Sequence, residues 1–257
     1  MQDIVLIPTY DRPELLWLCL EYMAASPESR EVQILICVDA HVGHAPPPRA
    51  EIEEVIKKFP QLHIRIGFRP AHTFHGNSFN LMMAYRDLYQ TEARYVFMVE
   101  DDVMIMPEFF AWHRQQHLHR LIGCSIGVLK RPEHGHYASL GVCFRREILK
   151  RIIPHCQTAY FQDMRGYCKK MFPPSKYDCE QDGLWCRVLS DQPVVWPMIA
   201  MAQHVGWYGY HRKKSHRPSG TLDQRYQQVK IALSDAGILH TMVREFWDVE
   251  PLRSPCN

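Results

Sequence analysis

Between residues 4 and 99 the chain alternates short apolar runs with longer segments of helical spacing, and this alternation restricts its fold more than any other feature. Ile4-Val5-Leu6-Ile7 is apolar at consecutive positions, the pattern of a strand covered on both faces. It stops at Pro8-Thr9-Tyr10-Asp11-Arg12-Pro13, where Pro13 suits the first turn of a helix. Glu14 to Ala25 then sets Leu15, Leu16, Leu18, Cys19 and Tyr22 at helical spacing. Val32 to Val38 makes a second strand, closed by Asp39. A helix follows from about Arg49 to Phe59, and Leu62 to Ile66 alternates with period two. Gly76-Asn77-Ser78 opens a third helix, with Ser78 as its N-cap, and Tyr95 to Val99 forms a fourth strand that ends in Glu100-Asp101-Asp102. The order β-α-β-α-β-α-β predicts a mostly parallel sheet with helices on both faces. Right-handed crossovers gather its strand-end loops on one edge, where such sheets bind ligands. The loops at Thr9–Asp11, Asp39 and Glu100–Asp102 are therefore expected to converge.

The second half is less regular. Helices are predicted over Pro107–Leu121, Arg146–Ile153, Gly183–Leu189 and Leu222–Phe246, the last with a break near Gly237. Strands are predicted over Ser125–Leu129, Ser139–Phe144 and Val194–Trp196, and Gln157–Lys176 reads as an irregular lobe. With no repeat or linker, the 257 residues are expected to form one domain. A net charge of +2 gives no global field to select nucleic acid or membrane. The nine cysteines form no CxxC pair and several lie in apolar runs, which points to buried free thiols in a reducing, cytoplasmic compartment. A zinc site from Cys168, Cys179 and Cys186 fits no common ligand spacing. No secretory signal is expected from the opening Met1-Gln2-Asp3-Ile4, and no run of about 20 apolar residues occurs in the sequence.

Glu100-Asp101-Asp102 carries the strongest chemical message. Two carboxylates about 4 Å apart repel by about 4 kcal/mol at an effective dielectric of 20, so a cation, a basic partner or a raised pKa must relieve them. Mg²⁺ and similar hard cations take carboxylates together with substrate phosphates. The expectation is a metal held by Asp102 with Asp101, bridging to a diphosphate. The alternative is a solvated acidic loop that N-caps the next helix.

The loop Ile7-Pro8-Thr9-Tyr10-Asp11-Arg12-Pro13 after strand one, Asp39 after strand two and Glu100-Asp101-Asp102 after strand four together resemble the GT-A fold glycosyltransferases, in particular family 2-like members. The resemblance implies a Rossmann-like α/β fold, a nucleotide-sugar donor (UDP-sugar favoured), Mn²⁺ or Mg²⁺ as cofactor, a donor-binding half over residues 1–110 and an acceptor-binding half over 111–257. On that pattern Pro8, Thr9, Tyr10 and Asp11 would line the base, with Arg12 beside them. Asp39 would touch base or ribose, and Asn77, Ser78 and Asn80 would sit near ribose or sugar. Glu100, Asp101 and Asp102 would serve ribose, metal and diphosphate. The chain departs from the pattern in having Asp39-Ala40 where two acids are common, and Glu-Asp-Asp in place of Asp-x-Asp.

Asp178-Cys179-Glu180-Gln181-Asp182 precedes an apolar helical segment, where acids complement the helix dipole. In the family this resembles the motif that supplies the general base to the acceptor hydroxyl; Asp182 is the first candidate and Glu180 the second. Gln203 to Lys214 mixes glycine, aromatic and basic residues. The resemblance implies a late histidine near the metal, His204 or alternatively His211, while Arg212, Lys213 and Lys214 would neutralise the leaving diphosphate. His113 and His117 have an i, i+4 zinc-like spacing but no evident third ligand. His134-Gly135-His136 is read as a loop near the acceptor, and Gly141 as a point of close approach for the sugar. Two rival functions remain: a metal-dependent nucleotidyltransferase, and a non-catalytic sugar- or nucleic-acid-binding module using Arg145, Arg146, Lys169, Lys170 and Arg212–Lys214 on glycan or modified nucleic acid.

Overall fold

The computed structural model describes residues 2–74, 77–118, 120–131, 135–173, 180–206, 208 and 217–238. Strand β1 (Ile4–Thr9) is buried along its whole length because it lies between two parallel neighbours, β2 (Gln33–Val38) and β4 (Tyr95–Met98). Strand β3 (His63–Phe68) extends the sheet beyond β2, also in parallel. On the other side β7 (Val142–Arg145) runs antiparallel to β4 and to β6 (Cys124–Ile126), and β8 (Val194–Val195) closes the edge. The order is β3-β2-β1-β4-β7-β6-β8. The chain moves outward from β1 to β3, then returns to place β4 on the opposite side of β1. The strand order thus reverses between β1 and β4, which is where open α/β sheets form a crevice at their carboxyl ends.

Helix α1 (Pro13–Ala25) starts with Pro13 in its first turn and stops at Ser26, whose extended backbone suits the residue before Pro27. Helices α2 (Arg49–Lys57) and α3 (Ser78–Tyr89) complete the crossovers. Ser78 is not the N-cap: Asn77 holds that position without a capping side-chain bond, and the Ser78 side chain is buried inside the first turn. After β4 come β5 (Val103–Ile105) and α4 (Phe109–Leu118).

The predicted helix over Arg146–Ile153 is instead two 3₁₀ turns, Arg146–Arg151 and Ile153–His155, the second with Pro154 near its start. The expected irregular lobe over Gln157–Lys176 contains α5 (Thr158–Gln162) and α6 (Met164–Met171), the latter capped by Asp163 accepting from the Gly166 amide. Helix α7 (Glu180–Val188) drives Trp185 into an aromatic core, stacked on Phe144 at 4.6 Å. Strand β9 (Ala202–His204) pairs antiparallel with β5 in a separate ribbon, matching Val103 with His204. Helix α8 (Leu222–Asp235) begins with a Thr221/Gln224 capping box and covers α1, with Tyr226 stacked on Trp17 at 3.9 Å.

The seven described cysteines are free thiols and all but Cys156 are buried. No helix among the described residues is long and apolar enough to cross a membrane. Gly141 does permit a close approach, but by the chain itself. Its φ is +65°, and a Cβ there would stand 2.8 Å from Ala202 Cβ and 3.1 Å from a Phe109 ring carbon. Gly141→Ala is therefore expected to lose about 1–3 kcal/mol, read as a shifted urea midpoint, and to press on β9.

His113 and His117 are fully buried, and no third ligand joins them among the described residues. His113 Nδ1 lies 2.6 Å from Ser125 Oγ, and His117 Nε2 lies 3.1 Å from the Cys143 carbonyl and 3.2 Å from Ser125 Oγ. Burial holds His113 well below the usual imidazole range and pulls His117 down to about 4. As pH falls from 6.5 toward 4, the unfolded chain takes up protons that the fold refuses, so stability falls with pH. From His117 alone the loss should reach about 2 kcal/mol at pH 5 and about 3 kcal/mol at pH 4. Urea unfolding at pH 7, 6 and 5 measures this above most carboxylate titration.

Candidate active site

The β1/β4 reversal brings the Thr9–Arg12 loop against Glu100–Asp102. Thr9 Oγ1 donates to Asp101 Oδ2 at 2.6 Å, and the Arg12 guanidinium forks across the acids, binding Asp101 Oδ1 through Nη2 and Asp102 Oδ2 through Nη1 at 2.7 Å. Asp101 and Asp102 are 1% and 4% exposed, so their charges are compensated by protein rather than by water. Arg12 Nη1 also donates to the Tyr208 carbonyl at 3.1 Å, and the Tyr208 hydroxyl is bonded to the buried carboxylate of Glu14.

The β5/β9 pairing carries His204 to the same place. Its Nε2 lies 3.3 Å from Asp102 Oδ2, and the Val205 amide donates to the Asp102 carbonyl at 2.8 Å. Gly206 lies beneath this ring with φ +52°; a Cβ there would stand 2.8 Å from His204 Cε1. One ligand atom each from Glu100, Asp102 and His204 lie within 4.8 Å of one another. Asp102 Oδ1 is buried with no hydrogen-bond partner among the described residues, an orphaned acceptor of the kind a cation would satisfy. This donor set fits a divalent ion.

Burial raises the Glu100 carboxyl well above its ordinary range, and Asp102 and Asp182 push it further. Burial also raises Asp101, in spite of Arg12. Burial would raise Asp102 too, but Arg12 and His204 outweigh it and hold this carboxyl below the usual range. Asp102 is thus the persistent anion of the group.

Asp39 ends β2 on the other flank of Thr9, its amide donating to the Thr9 carbonyl at 2.9 Å. Asp39 Oδ1 accepts from the Ala40 amide at 3.0 Å and meets His72 Nε2 at 2.8 Å. Asp182, in the first turn of α7, accepts from the Ser139 amide at 3.4 Å, and Ser139 Oγ lies 3.5 Å from Glu100 Oε1. Ser139 therefore spans the interval between the candidate base and the acidic strand end.

No family model matches the chain, and no curated protein matches it. Solved structures do. TarS 1–349 of S. aureus, in complex with UDP-GlcNAc, aligns with a TM-score of 0.51 at 15% identity, over 98% of this chain and 68% of that one. The galactosyltransferase LgtC, in complex with donor and acceptor sugar analogs, aligns with a TM-score of 0.53 at 8% identity, over 89% of this chain and 95% of that one. The fold is GT-A. At these identities the likeness concerns the fold alone. A 4-diphosphocytidyl-2C-methyl-D-erythritol synthase from Anaerococcus prevotii also aligns, with a TM-score of 0.50 at 10% identity, over 92% of this chain and 96% of that one.

Within the GT-A frame, Thr9, Arg12, Asp39, Glu100, Asp101, Asp102, His204 and Asp182 gather around the carboxyl ends of β1, β2 and β4. Asp101, expected as a metal ligand, stands apart from the three-ligand group: Thr9 and Arg12 take its two oxygens, and Glu100 occupies the place beside Asp102 and His204. Pro8 is buried within β1. Tyr10 bonds the Ala45 carbonyl, and Asp11 pairs with Arg217 at 2.6 Å. Asn77 is exposed. The Asn80 side-chain amide donates through Nδ2 to the Cys37 carbonyl at 2.8 Å and accepts at Oδ1 from Arg69 Nε at 3.1 Å. Glu180 opens α7, while His134, Asp178, Cys179, His211 and Arg212–Lys214 lie outside the described residues. Arg145 and Arg146 bond the His117 and Thr91 carbonyls, so both are committed to the fold.

Three participants lack any signal in the sequence: His72 on Asp39, Ser139 between Asp182 and Glu100, and Glu14 beneath Tyr208. His72 sits in a loop after β3, and no spacing rule ties it to Asp39. Arg12 was legible as part of the loop motif, but its partners were not.

Proposed function

We propose that this chain is a divalent-metal-dependent glycosyltransferase that moves a sugar from a UDP-sugar to an acceptor hydroxyl with inversion. The observation that carries the reading is the Glu100–Asp102–His204 group at the β4 end, with its orphaned Asp102 oxygen, beside the Thr9 loop and Asp39. A bound ion would supply charge neutralisation to a leaving diphosphate. A mixed carboxylate and imidazole set favours Mn²⁺ over Mg²⁺, which prefers oxygen alone. UDP is favoured because TarS, which shares the fold, is described in complex with UDP-GlcNAc.

The chain's own residues have separate tasks in this reading. Asp102 and His204, with Glu100, hold the ion; Thr9 and Arg12 orient the acidic pair; Asp39 accepts a hydrogen bond from base or ribose. Asp182 takes the acceptor hydroxyl proton as that oxygen attacks the anomeric carbon, with Glu180 the alternative base. A single displacement with such a base inverts the anomeric centre. The location at one sheet edge of both the ion-holding group and the candidate base supports this division.

The alignment with a diphosphocytidyl synthase keeps nucleotidyl transfer as the second reading. Thermal melting with UDP-sugars or nucleoside triphosphates, each with and without Mn²⁺, separates the two. At a hundredfold excess over Kd, a true donor stabilises the protein by about 2.7 kcal/mol. The proposal expects this from UDP-sugar with Mn²⁺ and not from triphosphates; the reverse pattern would transfer the assignment to the second reading.

A further inference from the structure

We infer that Arg12 is a resident counter-charge for the acidic strand end, one that partly neutralises it before any ion arrives and makes ion binding depend on the nucleotide. This rests on the metal reading above and adds to it a residue that controls when the ion binds. Three observations converge. The Arg12 guanidinium engages both Asp101 and Asp102 in a forked arrangement. It takes Asp102 Oδ2, the same atom that faces His204 Nε2, so the fold already places one positive charge inside the candidate ion group. A buried carboxylate pair without it would carry uncompensated repulsion, whereas with it the pair is neutralised in part before any ion arrives.

The consequence is electrostatic. A divalent ion that approaches Asp102 Oδ1 meets a guanidinium a few ångströms away, and their repulsion weakens binding of the bare ion. A diphosphate brings negative charge to the same place and offsets that repulsion. The ion then binds well only together with the nucleotide, and a buried, acid-lined site is spared from taking up stray cations. The Tyr208 carbonyl, which Arg12 Nη1 also holds, ties this state to the segment that follows His204.

The test is titration of the full chain with Mn²⁺, followed by the electron paramagnetic resonance of free Mn²⁺, with and without UDP. Wild type should bind Mn²⁺ weakly alone and at least about tenfold more tightly with UDP. Arg12→Gln should bind Mn²⁺ alone at least about tenfold more tightly than wild type, with a smaller gain from UDP, and its melting temperature should rise more on adding Mn²⁺. Arg12→Lys keeps the charge and should stay near wild type in Mn²⁺ binding. Wild type that binds Mn²⁺ equally with and without UDP overturns the inference. So does a folded Arg12→Gln, verified by circular dichroism, whose Mn²⁺ affinity is unchanged or weaker. If wild type binds no Mn²⁺ even with UDP, the metal site itself fails, and that outcome is distinct from a failure of Arg12. If Arg12→Gln does not fold, Arg12→Met titrated with Mn²⁺ alone gives the same comparison, and an affinity there unchanged from wild type also overturns it.

Discussion

Asp102→Asn is expected to lower Mn²⁺-dependent sugar transfer by about a thousandfold, the largest single effect at this site. The substitution keeps the shape of the side chain but removes the anion that His204 and Arg12 hold below the usual carboxylate range. Asp102 Oδ1, the buried acceptor with no hydrogen-bond partner among the described residues, loses its charge in the same change. An amide in that place can offer a neutral oxygen or an N–H, and the N–H would point at a cation. Folding should survive, since Arg12 keeps its bond to Asp101 and Thr9 keeps its own. Isothermal titration with UDP and Mn²⁺, alongside a melting curve, distinguishes lost ion binding from lost structure. Wild-type affinity in a folded Asp102→Asn protein would remove Asp102 from the ion group.

Asp182→Asn should show the second largest loss, with a different signature. If Asp182 takes the acceptor proton, kcat falls by about a hundredfold while UDP-sugar binding with Mn²⁺ stays within a few-fold of wild type. The side chain lies next to Ser139, which in turn approaches Glu100, so it adjoins the donor end without belonging to the ion-holding group. Steady-state rates with saturating donor and acceptor, together with donor titration, measure the two quantities separately. Retained activity in Asp182→Asn with a large loss in Glu180→Gln would move the base to Glu180. Equal losses of donor binding and rate would make Asp182 a donor-site residue instead.

The legibility of this chain follows the range of the interactions involved. Ile4–Ile7, Val32–Val38 and Tyr95–Val99 announce buried strands because a strand covered on both faces must be apolar at every position, a local requirement. The helix at Arg146–Ile153 failed as an expectation for the opposite reason. Arg146 Nη1 reaches the Thr91 carbonyl and Pro154 interrupts the run, so neighbouring elements set the local geometry and the segment tightens to 3₁₀ turns. The lobe over Gln157–Lys176 looked irregular from its aromatics and glycine, yet burial of Tyr160, Phe161 and Cys168 orders two short helices there.

By itself the sequence determined the alternating α/β frame, the position of Glu100–Asp102 after an apolar strand, and the loop around Thr9, because each is written in consecutive residues whose chemistry needs no distant partner. Only the tertiary structure decided which groups meet those acids. His204 arrives through the pairing of β5 with β9, about a hundred residues apart in sequence, and Arg12 is aimed at Asp101 and Asp102 by the adjacency of β1 and β4. Ser139 and His72 reach Glu100 and Asp39 in the same way, across the sheet edge. Hydrogen bonds and ion pairs act over about 3 Å whatever the separation along the chain, so their partners are set by topology, which residue spacing does not encode.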